Sequence, residues 1–492
     1  MRKSGILLPV ASVPGAYGIG TLGKPAFQFV DFLQRAGQGI WQMLPLSPTG
    51  FGDSPYQSCS AFAGNPYFID PDLLRKDGLL TKAECEAEAK RYAHKTRVDY
   101  ALLYQTRFTL LRAAFARFSA WYPDDYYHFC YEQGWWLEDY ALYMTAKGLN
   151  GGKSYREWDD EAQRLHKREA IDKLYAEHEK EVHFWKFCQY EFARQWHALH
   201  GYAKEQGVSI LGDIPIYVAA DSADVWAAPE LFDLDETGAP RSVAGCPPDA
   251  FSDDGQLWGN PLYDWAYHER TQYAWWVKRI RYALSLYDTL RIDHFRGFDT
   301  YYAIPANAKT AQEGEWRQGP GMKLFRAVKK ELGSAPIVAE DLGELFPSVY
   351  ALLKESGFPG MKVMQFAFGC ENSEYQPHNH PEHCVVYTGT HDNTTAEAWY
   401  RTAPAKEKRL AKQYLNLTAE EGYGMGLVRG ALASPGETCV IPLADYLGLG
   451  VEARINAPST LGGKNWTWRA PAEALNGQTA RKIAALVKRY GR

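Results

Sequence analysis

The sequence predicts an α/β protein, a (β/α)8 TIM barrel with large inserted subdomains, and two observations carry that expectation. Short aliphatic runs recur along the chain with the composition of parallel strands buried on both faces. Three of them run out into an acidic residue, in Arg291-Ile292-Asp293-His294-Phe295-Arg296-Gly297, Ala339-Glu340-Asp341-Leu342-Gly343 and Gly389-Thr390-His391-Asp392-Asn393. Parallel barrels carry their chemistry at the C-terminal ends of strands, so acids placed there point to one shared mouth.

The expected strands fall at residues 40–44, 67–69, 208–211, 289–292, 337–339, 362–366, 384–388 and 438–441, the number a barrel needs. Helices are expected between them, as at 25–36 before Gly37 and 322–332 before Gly333, where glycine is placed as a C-terminal stop. Between the second and third strands the text turns helical. Thr81 with Glu84 forms a capping-box pattern. Ala101, Tyr104, Phe108, Leu111, Phe115 and Phe118 recur at helical spacing, as do Trp185, Cys188, Phe192, Trp196 and Leu199. Residues 75–205 therefore read as a mainly helical inserted subdomain, its stripes being core contacts. A second excursion, 218–285, is rich in Pro, Gly, Asp and Trp and reads as loops over the active-site mouth.

Composition narrows the function. A chain of 492 residues with 46% hydrophobic residues builds a large core, here one catalytic barrel spanning 1–492. The net charge of −5 argues against nucleic acid as partner. Sixteen Trp, 32 Tyr and 22 Phe fill a core and also offer flat faces with polar edges to sugar rings. The eight cysteines are scattered without metal-ligand spacing and read as reduced thiols, so no metal or cofactor is expected. Met1-Arg2-Lys3 followed by Ile6-Leu7-Leu8 mimics a secretory leader, but Pro9 and Pro14-Gly15 interrupt it. No stretch approaches the ~20 apolar residues that span a bilayer. A cytoplasmic protein without a membrane partner is expected.

Gly18-Ile19-Gly20-Thr21-Leu22-Gly23 matches the dinucleotide-binding G-x-G-x-x-G pattern. That fingerprint also wants an acid about 20 residues on, and the run Trp41-Gln42-Met43-Leu44 has none. The glycines read instead as a turn allowing close backbone approach.

The chemistry rests on acids. Asp213, in Leu211-Gly212-Asp213-Ile214-Pro215, and Asp293 beside Arg291 each read equally well as half of an internal ion pair. Asp213, Asp293, Glu340 and the His391-Asp392 pair would however converge on one rim, which structural ion pairs have no reason to share. Cleavage of a glycosidic bond with retention needs a carboxylate nucleophile and a carboxylic acid about 5 to 5.5 Å apart. Asp293 is the expected nucleophile, kept ionised by Arg291, and Glu340 the general acid/base, its proton retained by the neighbouring charge. Asp392 suits a third role, gripping ring hydroxyls in the distorted transition state, with His294 and His391 as donors.

The chain resembles the 4-alpha-glucanotransferases of the amylomaltase, or disproportionating-enzyme, family (glycoside hydrolase family 77), related to the alpha-amylase barrels. Beside the acid-bearing segments the likeness runs through Leu7-Leu8-Pro9, Pro14-Gly15-Ala16-Tyr17-Gly18-Ile19-Gly20, Asp53-Ser54-Pro55-Tyr56-Gln57, Gly212-Asp213-Ile214-Pro215, Pro247-Pro248-Asp249, Gly255-Gln256-Leu257-Trp258-Gly259-Asn260-Pro261 and Asn465-Trp466. It implies that Asp293, Glu340 and Asp392 are nucleophile, acid/base and transition-state stabiliser. It further implies that Tyr56, Asp213, Asp249, Gln256, Trp258, Arg291, His294, His391 and Asn465 line the sugar subsites. The implied partners are alpha-1,4-glucans and maltooligosaccharides. Phe51 stands where some members carry a tyrosine linked to glucan binding at a secondary site, and a minimal form without the extra N-terminal domains of some relatives is expected.

Transfer rather than hydrolysis follows from the resemblance, not from spacing. An amylase-type alpha-1,4-glucan hydrolase would share the first chemical step, and a non-catalytic glucan-binding protein could keep the same cleft. A metal-dependent barrel hydrolase fits less well, because the first expected strand ends Leu44-Pro45-Leu46-Ser47 with no histidine pair.

Overall fold

Eight parallel strands form a barrel, with Asp213 near the end of its strand, Asp293 and Glu340 one residue beyond theirs and Asp392 in the loop that follows. The structure is a computed structural model that describes residues 2–248, 253–343 and 345–492. In chain order the strands are β1 (Lys3–Leu7), β2 (Ile40–Gln42), β3 (Ser209–Ile214), β4 (Ser242–Cys246), β5 (Gln256–Pro261), β6 (Thr289–Ile292), β7 (Thr300–Pro305), β8 (Glu315–Gln318), β9 (Ile337–Ala339), β10 (Gly360–Val363), β11 (Cys384–Tyr387) and β12 (Thr438–Pro442). The barrel sheet runs β10-β11-β12-β1-β2-β3-β6-β9.

Its two outer members meet at a short seam. Ala339 N–H donates to the Pro359 carbonyl at 3.0 Å. Asp341, buried just past β9, accepts the Met361 N–H at 2.6 Å and so supplies from a side chain the contact a longer ladder would have given.

Two strand assignments change. The first barrel strand is β1, at the very segment whose basic start and apolar run imitate a leader. It pairs in parallel with β12, Lys3↔Thr438 through Leu7↔Pro442, and with β2. Gly5 permits the second contact, since a Cβ there would lie 2.6 Å from Ile40 Cβ. Residues 67–69 are no strand. Pro66–Phe68 is a single 3-10 turn whose Tyr67 N–H is accepted by the Asn65 side chain at 3.0 Å. Asp70 then caps the helix Pro71–Lys76. Capping side chains and Pro66 outweigh a short apolar run with no neighbouring strand to pair with.

The helices that brace the barrel follow the sequence pattern. Lys24–Arg35 and Met322–Leu332 end before Gly37 and Gly333, both with positive φ. The stretch between β2 and β3 holds Lys82–Arg91, whose Thr81–Glu84 capping box is formed, then Tyr100–Phe118, Asp124–Leu149 and Arg168–Glu205. Trp185, Cys188, Phe192, Trp196 and Leu199 are all buried. The neighbouring stripe is rotated from expectation. Leu103, Leu110, Leu111, Phe115 and Phe118 are buried, whereas Tyr104 is exposed. The buried Arg107, donating to the Tyr67 and Tyr17 carbonyls at 2.7 Å, takes a place that an apolar pattern skips.

Beyond β3 the chain makes a second, antiparallel sheet in the order β5-β4-β7-β8. The connection from β3 to β4 is tied to the helical stretch by Asp221, which accepts from Tyr143 Oη at 2.7 Å and from the Tyr155 N–H at 3.0 Å. Among the described residues no helix is long and apolar enough to cross a membrane.

Candidate active site

The expected acids do converge. Asp213 on β3 is in register with Arg291 on β6, and both side chains are buried. Arg291 Nη1 donates to both carboxylate oxygens of Asp213, at 2.8 and 2.7 Å. One residue past β6, Asp293 lies 2.9 Å from Arg291 Nη2. Burial disfavours a charge on Arg291, but the Asp213 and Asp293 carboxylates outweigh it and hold the guanidinium protonated.

Glu340 follows β9 on the neighbouring strand. Its backbone is fixed to the Asp293 segment, since Glu340 N–H donates to Ile292 O at 3.1 Å and Phe295 N–H to Glu340 O at 3.0 Å. Its carboxyl accepts the His294 N–H at 2.7 Å and the Leu342 N–H at 2.8 Å. The first of these bonds requires the turn at His294, whose φ of 52° is left-handed. Burial, then the Asp293 charge, push the Glu340 carboxyl up to about 8 against the opposing pull of Arg291 and the two N–H donors. The two carboxyls thus sit in different surroundings, Asp293 salt-bridged to Arg291 and Glu340 desolvated.

The third acid comes from the loop after β11. Asn393 accepts from the Thr390 N–H at 2.8 Å and tightens that loop. His391 Nε2 lies 3.4 Å from Asp392 Oδ2, and the Asp392 side chain is 42% exposed, open to a ligand on its remaining side. Two residues not singled out in the sequence hold it. Asn456 Nδ2 donates to Asp392 Oδ1 at 2.6 Å, and Arg454 Nη2 donates to the Asp392 carbonyl at 2.7 Å. Both lie in an irregular loop after β12, where neither periodicity nor a strand end marks them.

Aromatic rings wall the acids. Tyr56 Oη donates to Asp213 Oδ2 at 2.8 Å, and its ring stacks on His391, centroids 5.1 Å apart and 13° from parallel. Trp466 leans on both rings at 5.9 Å. Burial, then the Asp213 charge, raise the Tyr56 phenol, which therefore stays a donor. Trp258 stands edge-on to His294, centroids 4.9 Å apart at 90°, and its Nε1 donates to Gln256 Oε1 at 3.0 Å. Burial lowers His294 to about 4, so it is neutral at physiological pH. Asn465 is turned into its own loop, accepting from the Ala457 N–H at 3.0 Å and donating to Thr460 Oγ1 at 3.0 Å. Asp249 lies outside the described residues.

The structure therefore brings Tyr56, Asp213, Arg291, Asp293, His294, Glu340, His391 and Asp392 into one network, with Gln256 and Trp258 beside it. Gln57 and Asn260 belong to motifs visible in the sequence, but nothing there shows that they touch each other. Among the described residues no group of three His, Cys, Asp or Glu side chains is placed to hold a metal ion.

Comparison with known proteins is consistent along the whole chain. A family profile described as 4-alpha-glucanotransferase matches residues 8–475. A 4-alpha-glucanotransferase of Clostridium butyricum is 48% identical, the alignment covering 98% of this chain and 99% of that one. One of Thermus thermophilus is 45% identical over 99% of this chain and 98% of its own. The solved structure of the amylomaltase of Streptococcus agalactiae in complex with acarbose superposes with a TM-score of 0.97 at 39% identity, covering 100% of both chains.

Proposed function

Because the chain belongs to the 4-alpha-glucanotransferase family, glycoside hydrolase family 77, and is an enzyme of that activity, we propose that it works by retaining double displacement through a glycosyl-Asp293 intermediate. The reaction moves a segment of an alpha-1,4-glucan to the 4-hydroxyl of an acceptor glucose or oligosaccharide.

The observation that carries this reading is the asymmetry of two acids on adjacent strands. Asp293 is paired with Arg291 at 2.9 Å, and Glu340 is pushed up to about 8. In the first step an Asp293 oxygen attacks the anomeric carbon of the donor while the bond from that carbon to the leaving O4 breaks. Glu340 gives its proton to the departing oxygen. Asp293 is then an uncharged ester, so the repulsion it exerted on Glu340 disappears. Glu340, now ionised, takes the proton of an incoming 4-hydroxyl, whose oxygen attacks the anomeric carbon and frees Asp293. Configuration at that carbon is inverted twice and so retained.

The remaining residues bind and shape. Asp392, held by Asn456, is placed to bond ring hydroxyls as the sugar flattens toward an oxocarbenium-like transition state. His391 and the neutral His294 supply further donors. Tyr56 and Trp258 present aromatic faces to the sugar, Arg291 and Asp213 fix the nucleophile, and Gln256 adds a polar group beside Trp258; the subsite roles that the family resemblance implies for Asp249 and Asn465 stay expectations, Asn465 being engaged in its own loop. The helical stretch 75–205 and the excursion 218–285 form the walls that lengthen the cleft beyond the barrel rim.

The deciding experiment is the product ladder from maltotriose. Maltooligosaccharides longer than the substrate are expected, together with glucose and maltose. Glucose and maltose alone would instead make the chain a hydrolase, and binding of acarbose without turnover would make it a glucan-binding protein.

A further inference from the structure

The strand that carries Trp258 is not held by its sheet where it matters. β5 is an edge strand of its sheet, and among the described residues the strand it pairs with is β4. Its register jumps from Val243↔Pro261 to Gly245↔Leu257, so Trp258, Gly259 and Asn260 bulge out opposite the single residue Ala244. Gly259 has a φ of 78° at the middle of the bulge. Bulges of this kind re-aim side chains beside active sites, and they leave backbone groups that need other partners.

Those partners come from across the cleft. Gln57 Nε2 donates to Asn260 Oδ1 at 3.0 Å and to the Trp258 carbonyl at 3.4 Å, spanning the glycine. Asn260 Nδ2 donates back to Gln57 Oε1 at 3.4 Å and to the Val218 carbonyl at 2.7 Å. Gln57 is the residue after Tyr56, whose hydroxyl is bonded to Asp213. One reciprocal amide pair thus connects the tyrosine on one wall to the tryptophan on the other.

We propose that the Gln57–Asn260 pair is a positioning latch: it fixes the β5 bulge against the Tyr56 loop and, by holding Trp258 over the reacting sugar, makes a sugar hydroxyl the preferred acceptor over water. The proposal rests on the transfer mechanism above. Glycosylation of Asp293 does not depend on how an acceptor is held, whereas the fate of the ester depends on how well an acceptor is seated and water excluded. Loss of the latch therefore acts on the second step. Gln57 acts through Trp258 and is a positioning residue.

The test compares wild type with Gln57→Ala, Gln57→Glu and Asn260→Ala. Gln57→Glu keeps the side-chain length but removes the donor that spans Gly259. Hydrogen exchange of residues 253–262 is expected to accelerate at least about three- to tenfold in each, the factor for a single lost hydrogen bond, since each variant removes more than one. In the Gln57→Ala/Asn260→Ala double variant the acceleration should fall short of the product of the two single effects, because both substitutions break the same amide pair. With maltotriose, the hydrolysed share of product is expected to rise by a similar factor while total donor cleavage by the Gln57 variants stays within about threefold of wild type. Unaltered exchange would overturn the latch itself. Faster exchange with an unchanged ratio of transfer to hydrolysis, or transfer and cleavage falling together, would overturn its role in acceptor choice. Failure of wild type to make longer oligosaccharides would overturn the transfer mechanism and with it the acceptor role, and the exchange measurement would still decide whether the latch exists.

Discussion

Arg291 grips Asp293 with the guanidinium nitrogen that Asp213 leaves free: Nη2 lies 2.9 Å from Asp293 Oδ1 while Nη1 serves both oxygens of Asp213. The buried Asp213 is therefore the fixed anchor, and the half-exposed Asp293 is the arm presented to substrate. A lysine presents a single point charge and cannot bridge the two carboxylates. Arg291→Lys is expected to lower kcat/KM for transfer by at least about a hundredfold. Arg291→Met, which strands Asp213 without its partner, is expected to cost about 3–5 kcal/mol of stability in chemical denaturation.

Asp293→Asn and Glu340→Gln should each abolish transfer from maltotriose while acarbose still binds. The two variants part company with an α-glycosyl fluoride donor, whose leaving group needs no proton. Glu340→Gln should then accumulate a glycosyl adduct on the Asp293 peptide by mass spectrometry, and Asp293→Asn should not. Turnover of maltotriose by Asp293→Asn would remove it as nucleophile.

The first step needs Glu340 protonated. With its carboxyl pushed up to about 8, kcat/KM in wild type should fall as pH rises through about 8. An alkaline limb centred below pH 6 would contradict this assignment.

The same shift has a consequence for stability. From the ordinary value of 4.5 up to about 8 the folded protein holds a proton on Glu340 that the unfolded chain has released. Stability is therefore lost as pH rises through that window and is level beyond it. Glu340→Gln, which removes the buried charge, should be more stable than wild type at pH 8 by about 1–2 kcal/mol after solvent screening, and equally stable near pH 4. Thermal melts at the two pH values measure this directly.

Asn456→Ala should separate orientation from binding. It removes the 2.6 Å bond to Asp392 Oδ1 and leaves the carboxylate free to rotate. A hydrogen bond to a charged group is worth about 1.5–3 kcal/mol, so kcat is expected to fall about ten- to a hundredfold with a smaller change in KM. A change confined to KM would make Asn456 a ground-state contact only.

The barrel and its acids were legible because both are local. A short, mostly apolar strand followed directly by Asp or Glu is written in consecutive letters, as at Ile337-Val338-Ala339-Glu340. Most of what the sequence hid was written across long separations, the local capping at 65–70 being the exception. β1 is a strand only because β2 and β12 flank it, and residues 67–69 fail to be one because Asn65 and Asp70 cap turns there instead. The antiparallel sheet was masked because β4 and β5 must be completed by β7 and β8, beyond β6. Asp392 was visible at the end of β11, whereas its holder Asn456 comes from a loop without pattern.

The pairing of β1 with β12 also orders events in the making of the protein. During synthesis, the strand Lys3–Leu7 emerges first, and its partner Thr438–Pro442 follows only after the intervening chain has been translated. At about 5–20 residues per second that delay is on the order of 20 to 90 s. Throughout it, one edge of β1, with Ser4, Ile6 and Leu7 that end fully buried, has no strand beside it. Of the described barrel strands β1 thus waits longest for one of its partners, and β12 is the strand that ends this exposure.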